Sequence, residues 1–247
     1  MNNEIPFCNP PITEALLDIR VNFSEINLER LALFQEDIKI QYPDRKERFN
    51  QQAELQFKTG VFPEVVSAAN KVDGYLFQST DGKKIVQARQ DGFTFNKLKP
   101  YSHWEDFSTE AKALWEHYIK VTRPINVTRI ALRYINRIEI PLPLKDFKEY
   151  ILTIPEIAPG IPNSLSSFFT QLIIPYPEIQ ATAAITETME TMDSRGFLPF
   201  IFDIDVWISN IVEPDSKDIW NAMEKLRDFK NQIFLNSITE KTRELFK

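Results

Sequence analysis

A chain of 247 residues, 43% hydrophobic and carrying 19 phenylalanines, is long enough to bury a core without a disulfide or a metal, as one domain or two. Its 6 glycines stand against 16 prolines, and the nearest two are Gly74 and Gly82, which excludes the GxGxxG and GxxxxGK(S/T) phosphate loops and the GxSxG nucleophile turn. A formal charge of −6 disfavours non-specific contact with nucleic-acid backbones, and 2 histidines with 1 cysteine leave little for His- or Cys-based catalysis or zinc.

The opening MNNEIPFCNPPITE has no basic region and no apolar run, and no stretch approaches the ~20 apolar residues of a membrane helix. Cys8 has no internal disulfide partner. A cytoplasmic protein without membrane segments is expected.

Residues 12–23 alternate, with Ala15, Leu17, Ile19, Val21 and Phe23 opposite Asp18, Arg20 and Asn22, which predicts a half-buried strand. Asn27 then caps a helix with Leu28, Leu31, Phe34 and Ile38 on one face, ending at Tyr42-Pro43. Residues 47–57 read as a strand, and 58–72 follow no clear pattern. Asp81-Gly82 and Asp91-Gly92 signal two hairpins, giving three antiparallel strands over 74–98. A helix is expected over 102–122, its apolar face marked by Trp104, Phe107, Ala111, Leu114, Trp115, Tyr118 and Ile119.

The second part begins with a long alternating strand, 126–141, with Ile130, Leu132, Tyr134, Ile138 and Ile140 opposite Arg129, Arg133 and Arg137. A short helix near 144–152 and a Pro-rich linker over 153–163 follow. Strands are expected at 166–174, 178–189 and 199–209. A final helix starts near Asp215, capped by that residue or Ser216, with Ile219, Met223, Leu226, Ile233 and Phe234 as its stripe.

The order β-α-β-β-β-β-α, then β-α-β-β-β-α, predicts a single α+β unit over 1–247. Its antiparallel sheet is gripped by long helices and built from two similar halves, 9–123 and 124–247. A TATA-binding-protein-like, helix-grip arrangement fits that order, and the comparison transfers no function.

Two stripes are candidates for binding. Asp203 and Asp205 at i and i+2 share a strand face about 7 Å apart, a spacing able to hold a divalent cation. No third acid or phosphate loop accompanies them, so no metal or cofactor is expected. Arg129, Arg133 and Arg137 are the basic counterpart, suited to an anion or to cross-strand pairing with those aspartates. Trp207 shares the face of Asp203 and Asp205, where a large ring implies a covering layer or a binding surface. His103 and His117, read as lying on one helix, stand about 21 Å apart and share no metal. Cys8 reads as inert.

Separated pieces together resemble one family. They are Asn9-Pro10-Pro11-Ile12 with Glu14, Tyr42-Pro43, Asp81-Gly82 with Gln87 and Phe95-Asn96, Arg133-Tyr134-Ile135-Asn136-Arg137-Ile138 with Pro141, and Phe234 with Ser237-Ile238-Thr239. In order and spacing they are similar to the sporadically distributed bacterial TIGR04255 family, over residues 9–246. The resemblance implies no catalytic motif. The patchy distribution of that family suits accessory genes, phage defence among them.

The leading expectation is therefore a non-catalytic binding or assembly protein, with a protein partner or a second copy of itself and with nucleic acid and membrane disfavoured. The alternatives are a metal-dependent enzyme acting on a phosphate-containing substrate through Asp203 and Asp205, and a small-ligand pocket between helix and sheet.

Overall fold

The computed structural model describes residues 7–56, 64–160, 165–192 and 194–247. It is an α+β fold. In chain order the elements are β1 (Ile12–Asn22), α1 (Leu28–Ile38), β2 (Asp44–Gln56), β3 (Glu64–Gln78), β4 (Lys84–Arg89), β5 (Gly92–Leu98), α2 (Trp104–Thr122) and β6 (Asn126–Pro141), then β7 (Phe169–Tyr176), β8 (Ala181–Met189), β9 (Phe197–Ile208), α3 (Asp218–Ser237) and α4 (Glu240–Glu244). Among the described residues nine strands make one sheet, in the order β2-β3-β4-β5-β1-β6-β9-β8-β7. Every neighbouring pair is antiparallel.

The period-two pattern of β1 has the expected consequence. Ala15, Leu17 and Ile19 are fully buried on the face that the helices cover, and Asp18 and Arg20 take the other. The same division runs through Phe93 and Phe95 of β5, Leu132 and Tyr134 of β6, and Phe202, Ile204 and Val206 of β9. Helix α1 is capped by Asn27, whose side chain accepts from the Arg30 N–H at 2.9 Å, and buries Leu31, Phe34 and Ile38. Helix α2 lays Phe107 flat on Phe95, with ring centroids 5.2 Å apart, and Trp115 edge-on to Phe93. Each fully buried side chain of this size adds about 1.5–3 kcal/mol by leaving water. Helix α3 buries Ile219, Met223, Leu226 and Phe234 against β6 and β9. After α4, Phe246 closes on Phe7 at 5.2 Å.

Some expectations need correction. The short helix near 144–152 is only a 3-10 turn, Phe147–Glu149, capped by Asp146. Beyond it Ile151 pairs with Ile238 as an isolated bridge, so the chain is drawn out rather than coiled. The strand expected over 178–189 starts at Ala181, because Pro177–Ile179 form a 3-10 turn closed by Gln180 at φ 55°. Strand β2 begins earlier than its pattern implied, at Asp44. Within the unpatterned stretch 58–72, the residues from Glu64 are strand, and 58–63 lie outside the described residues, as does Gly60. The Pro-rich linker is described only to Gly160.

The second hairpin differs in detail. Arg89 pairs with Gly92, so Gln90 and Asp91 form the turn and Gly92 opens β5. Glycine is needed there for closeness: a Cβ would stand 2.4 Å from the Ile19 carbonyl oxygen. Gly74 lies inside β3 rather than at a strand start, beside a bulge at Asp73, and a Cβ on it would lie 2.2 Å from the Ala88 carbonyl oxygen.

Candidate functional site

The face of the sheet away from the helices carries the two predicted stripes, and they meet. Arg133 stands opposite Asp205 in the β6–β9 register but bonds diagonally to Asp203, with Nε at 2.9 Å and Nη2 at 2.5 Å. Arg129 reaches both ways, to Asp205 on β9 and to Asp18 on β1, each at 3.2 Å. Arg137 pairs with Glu139 at 2.7 Å and Glu190 at 3.2 Å instead of with an aspartate. The guanidinium of Arg129 also lies 5.1 Å from the Trp207 ring centroid, so this half-buried ring has an intramolecular cover.

The network extends past the predicted residues. Arg89, whose side chain is 4% exposed, donates to Asp18 and Thr94, both at 2.7 Å. Burial alone would raise the Asp18 carboxyl, but Arg89 and Arg20 beside it outweigh burial and hold it below the usual carboxylate range. Burial prevails at Asp205, which is pushed up despite Arg129 and Arg133. Farther out, Arg48 bonds Gln87 at 3.2 Å, Gln87 bonds Asn96 at 3.2 Å, and Asn96 bonds Glu14 at 2.6 Å. No group of three or more His, Cys, Asp or Glu side chains able to hold a metal occurs among the described residues. Asp203 and Asp205 are ligands to arginines here, and the chemistry of this face is charge pairing. His103 stands just outside α2 as its N-terminal flank rather than on it, and His117 lies 3.4 Å from Asp37. Cys8 is exposed and free.

The other face holds a cavity that the sequence pattern did not single out. Between the start of α2, helix α3, strand β6 and the segment before β1 is a space of about 270 Å³. Its walls include Phe7, Pro10, Pro11, Ile12, Trp104 and Phe234. Its polar groups are Tyr101, Tyr134, Asn136, Arg227, Lys230 and Asn231, with Ser102, His103 and Glu105 also lining it. The hydroxyls of Tyr101 and Tyr134 bond each other at 2.9 Å. Burial drives both phenols up, Tyr101 to about 12. Asn136 donates to the Phe202 carbonyl at 3.0 Å. Arg227 lies over the Trp104 ring and faces Glu224 at 3.4 Å and Glu105 at 3.8 Å.

Lys230 is the exception in this pocket. It is 6% exposed, and its ammonium stands 3.7 Å from the Tyr134 ring centroid. No carboxylate or carbonyl partner engages it among the described residues. Loss of water, with Arg227 nearby, pushes its amine down to about 7. A second buried titratable group, Glu187 on the core face of β8, is 1% exposed, and neither of its oxygens has a hydrogen-bond partner among the described residues. Burial raises that carboxyl to about 7.

Sequence periodicity did contain a signal for the pocket. Ile219, Met223, Leu226 and Phe234 recur along α3, and Lys230 falls in the same stripe. Asn136 likewise interrupts the apolar run Leu132, Tyr134, Ile138 on β6. The two departures face one cavity. Pro10, Pro11, Ile12, Tyr134, Asn136 and Phe234, drawn from three sequence segments singled out above, also converge there. No helix among the described residues is long and apolar enough to cross a membrane. No family model matches the chain, and no curated protein matches it either.

Proposed function

We propose that this protein works by binding, and that a small molecule seats in the pocket between α2, α3 and β6. The observation that carries this reading is the convergence of buried polar groups from separate elements, Asn136 of β6 and Lys230 of α3, on one apolar-walled cavity. Polar groups fixed inside a mostly apolar concavity are the usual form of a ligand site. Thermal-shift screening of a small-fragment library tests it. Hits should raise the melting temperature of the wild type, and Phe234→Trp, which fills the cavity, should abolish those shifts. A library without any stabilising fragment sinks the reading.

A second reading, assembly of two copies, is favoured by strand β7. It ends the sheet, contains no charged residue, and leaves Phe169, Ile173 and Ile174 exposed at 69%, 57% and 41%. The other edge, β2, starts Asp44-Arg45-Lys46-Glu47-Arg48, the charged form that discourages strand addition. Antiparallel pairing of two β7 edges across a two-fold axis sets no like charges against each other. Light scattering after size-exclusion chromatography should give a dimer, and Ile173→Lys a monomer. A wild-type monomer at high concentration removes the reading.

The two-half, TATA-binding-protein-like arrangement belongs to the same proposal. It is supported by the order β2-β3-β4-β5-β1 followed by β6-β9-β8-β7. A cytoplasmic location, an accessory or defence role and membership of the TIGR04255 family are further parts of this reading, and the meeting of Pro10, Pro11, Asn136 and Phe234 at one pocket supports the last of them.

A further inference from the structure

We infer that the pocket takes a small organic acid, one ring in size, whose carboxylate pairs with Lys230. This rests on the reading of the cavity as a ligand site and adds the chemical class of the ligand.

The argument begins with charge. An ammonium that is nine-tenths buried without an acid beside it is costly, and a ligand carboxylate removes that cost. The other charged groups around the cavity are already engaged. Arg227 faces Glu224 and Glu105, and Glu224 also accepts from the Trp104 indole at 2.7 Å. The Tyr101 and Tyr134 hydroxyls hold each other, and the Asn136 amide nitrogen is spent on backbone oxygens. His103, on the flank of α2, is the remaining ionisable group in the lining. Among the described residues, Lys230 is thus the cation left for a ligand. One cation suits the single charge of a carboxylate better than a phosphate, which carries nearly two charges and calls for several donors.

Size and polarity set the rest of the molecule. A cavity of about 150 Å³ lined by aliphatic and aromatic side chains admits benzene, and drug-sized pockets begin near 300 Å³. At about 270 Å³ this pocket has room for one ring with a short acidic arm. Phe7, Pro10, Pro11, Ile12, Trp104 and Phe234 supply apolar surface for the ring.

The free amine near 7 gives the proposal a proton signature. A bound carboxylate restores the charged form, so binding takes up a proton above neutrality and none in acid. Affinity for the acid therefore falls by up to about tenfold per pH unit above pH ~7.

Isothermal titration of the full chain with phenylacetate and with its uncharged isostere phenylacetamide tests this. At pH ~6.5 the acid should bind at least about tenfold more tightly, in keeping with a charge-assisted contact. At pH ~8 its heat should depend on the ionisation enthalpy of the buffer, reporting uptake of close to one proton. Lys230→Met should erase both the preference and the uptake while keeping amide binding; the wild-type proton uptake stands as a test if that variant does not fold. Equal affinity for acid and amide, absent proton uptake, or no binding of either probe overturns the inference. If neither probe binds while other fragments still stabilise the protein through the cavity, only the ligand class is wrong. If no fragment does, the pocket reading falls with it.

Discussion

The ammonium of Lys230 stands 3.7 Å from the centroid of the Tyr134 ring, on the helix-covered side of the sheet. The ring face attracts the cation but does not replace the water lost in burial, and the amine is pushed down to about 7. Below that pH the folded protein carries a desolvated charge that the unfolded chain keeps in water. The resulting cost is full in acid and fades as pH rises from about 7 toward the ordinary lysine value of 10.5. Lys230→Met should therefore stabilise the ligand-free protein by on the order of 2 kcal/mol near pH 6, with the gain shrinking by pH ~10. Urea unfolding at the two pH values checks it, and a pH-independent difference refutes it.

Glu187 shows the opposite sign. Burial raises its carboxyl from 4.5 to about 7, so ionisation opposes folding. The cost is absent below the unfolded value, grows between 4.5 and about 7, and is full above that window. Glu187→Gln should leave stability nearly unchanged at pH ~4.5 and raise it by on the order of 2 kcal/mol at pH ~8. Melting curves at both pH values measure the difference; stabilisation greater in acid counts against it.

Asp18 joins Arg89, Arg20 and Arg129 across three strands. Removing the carboxylate leaves the Arg89 guanidinium, whose side chain is only 4% exposed, with only Asp91 at 3.1 Å and the Thr94 hydroxyl as partners among the described residues. Asp18→Ala should cost about 3 kcal/mol, and the double change Asp18→Leu with Arg89→Met should recover most of it. Equilibrium denaturation of the single and double variants decides between coupling and simple addition.

At Gly92, an added Cβ meets the Ile19 carbonyl oxygen at 2.4 Å and Arg89 Nη2 at 2.9 Å. Gly92→Ala should destabilise by on the order of 2 kcal/mol, because backbone on the neighbouring strand must give way. Gly160→Ala is a useful contrast: among the described residues no atom lies within 4 Å of its added Cβ, and the penalty expected there is that of its φ of +87°. Thermal melting of both variants compares a close contact added to a φ of +158° at Gly92 with conformation at Gly160.

Periodicity disclosed most of the architecture. Alternation over residues 126–141 gives β6 with the same ends as the strand itself, and the stripes on α1 and α2 name their buried faces. Local rules failed where partners at long range decided the outcome. Ile151 left a helical pattern to pair with Ile238, and residues from Glu64 became strand by pairing with β2. The pairing of Arg133 with Asp203 was foreseeable from two facing stripes, whereas its diagonal geometry depends on register. The pocket was harder to see because its signature is an interruption. Lys230, Asn136 and Glu187 each occupy a position that the surrounding pattern assigns to the core, and averaging over a stripe hides such single departures.

Strand β1 lies between β5 and β6. One of its edges pairs with residues 92–98, and the other with residues 126–136. During synthesis the first five strands of the sheet are therefore complete in sequence while one flank of β1 still presents open backbone groups. That flank stays available to other chains until the ribosome has released β6. A slow translation step between residues 98 and 141 would lengthen the exposure, so the timing of elongation bears directly on the yield of folded protein.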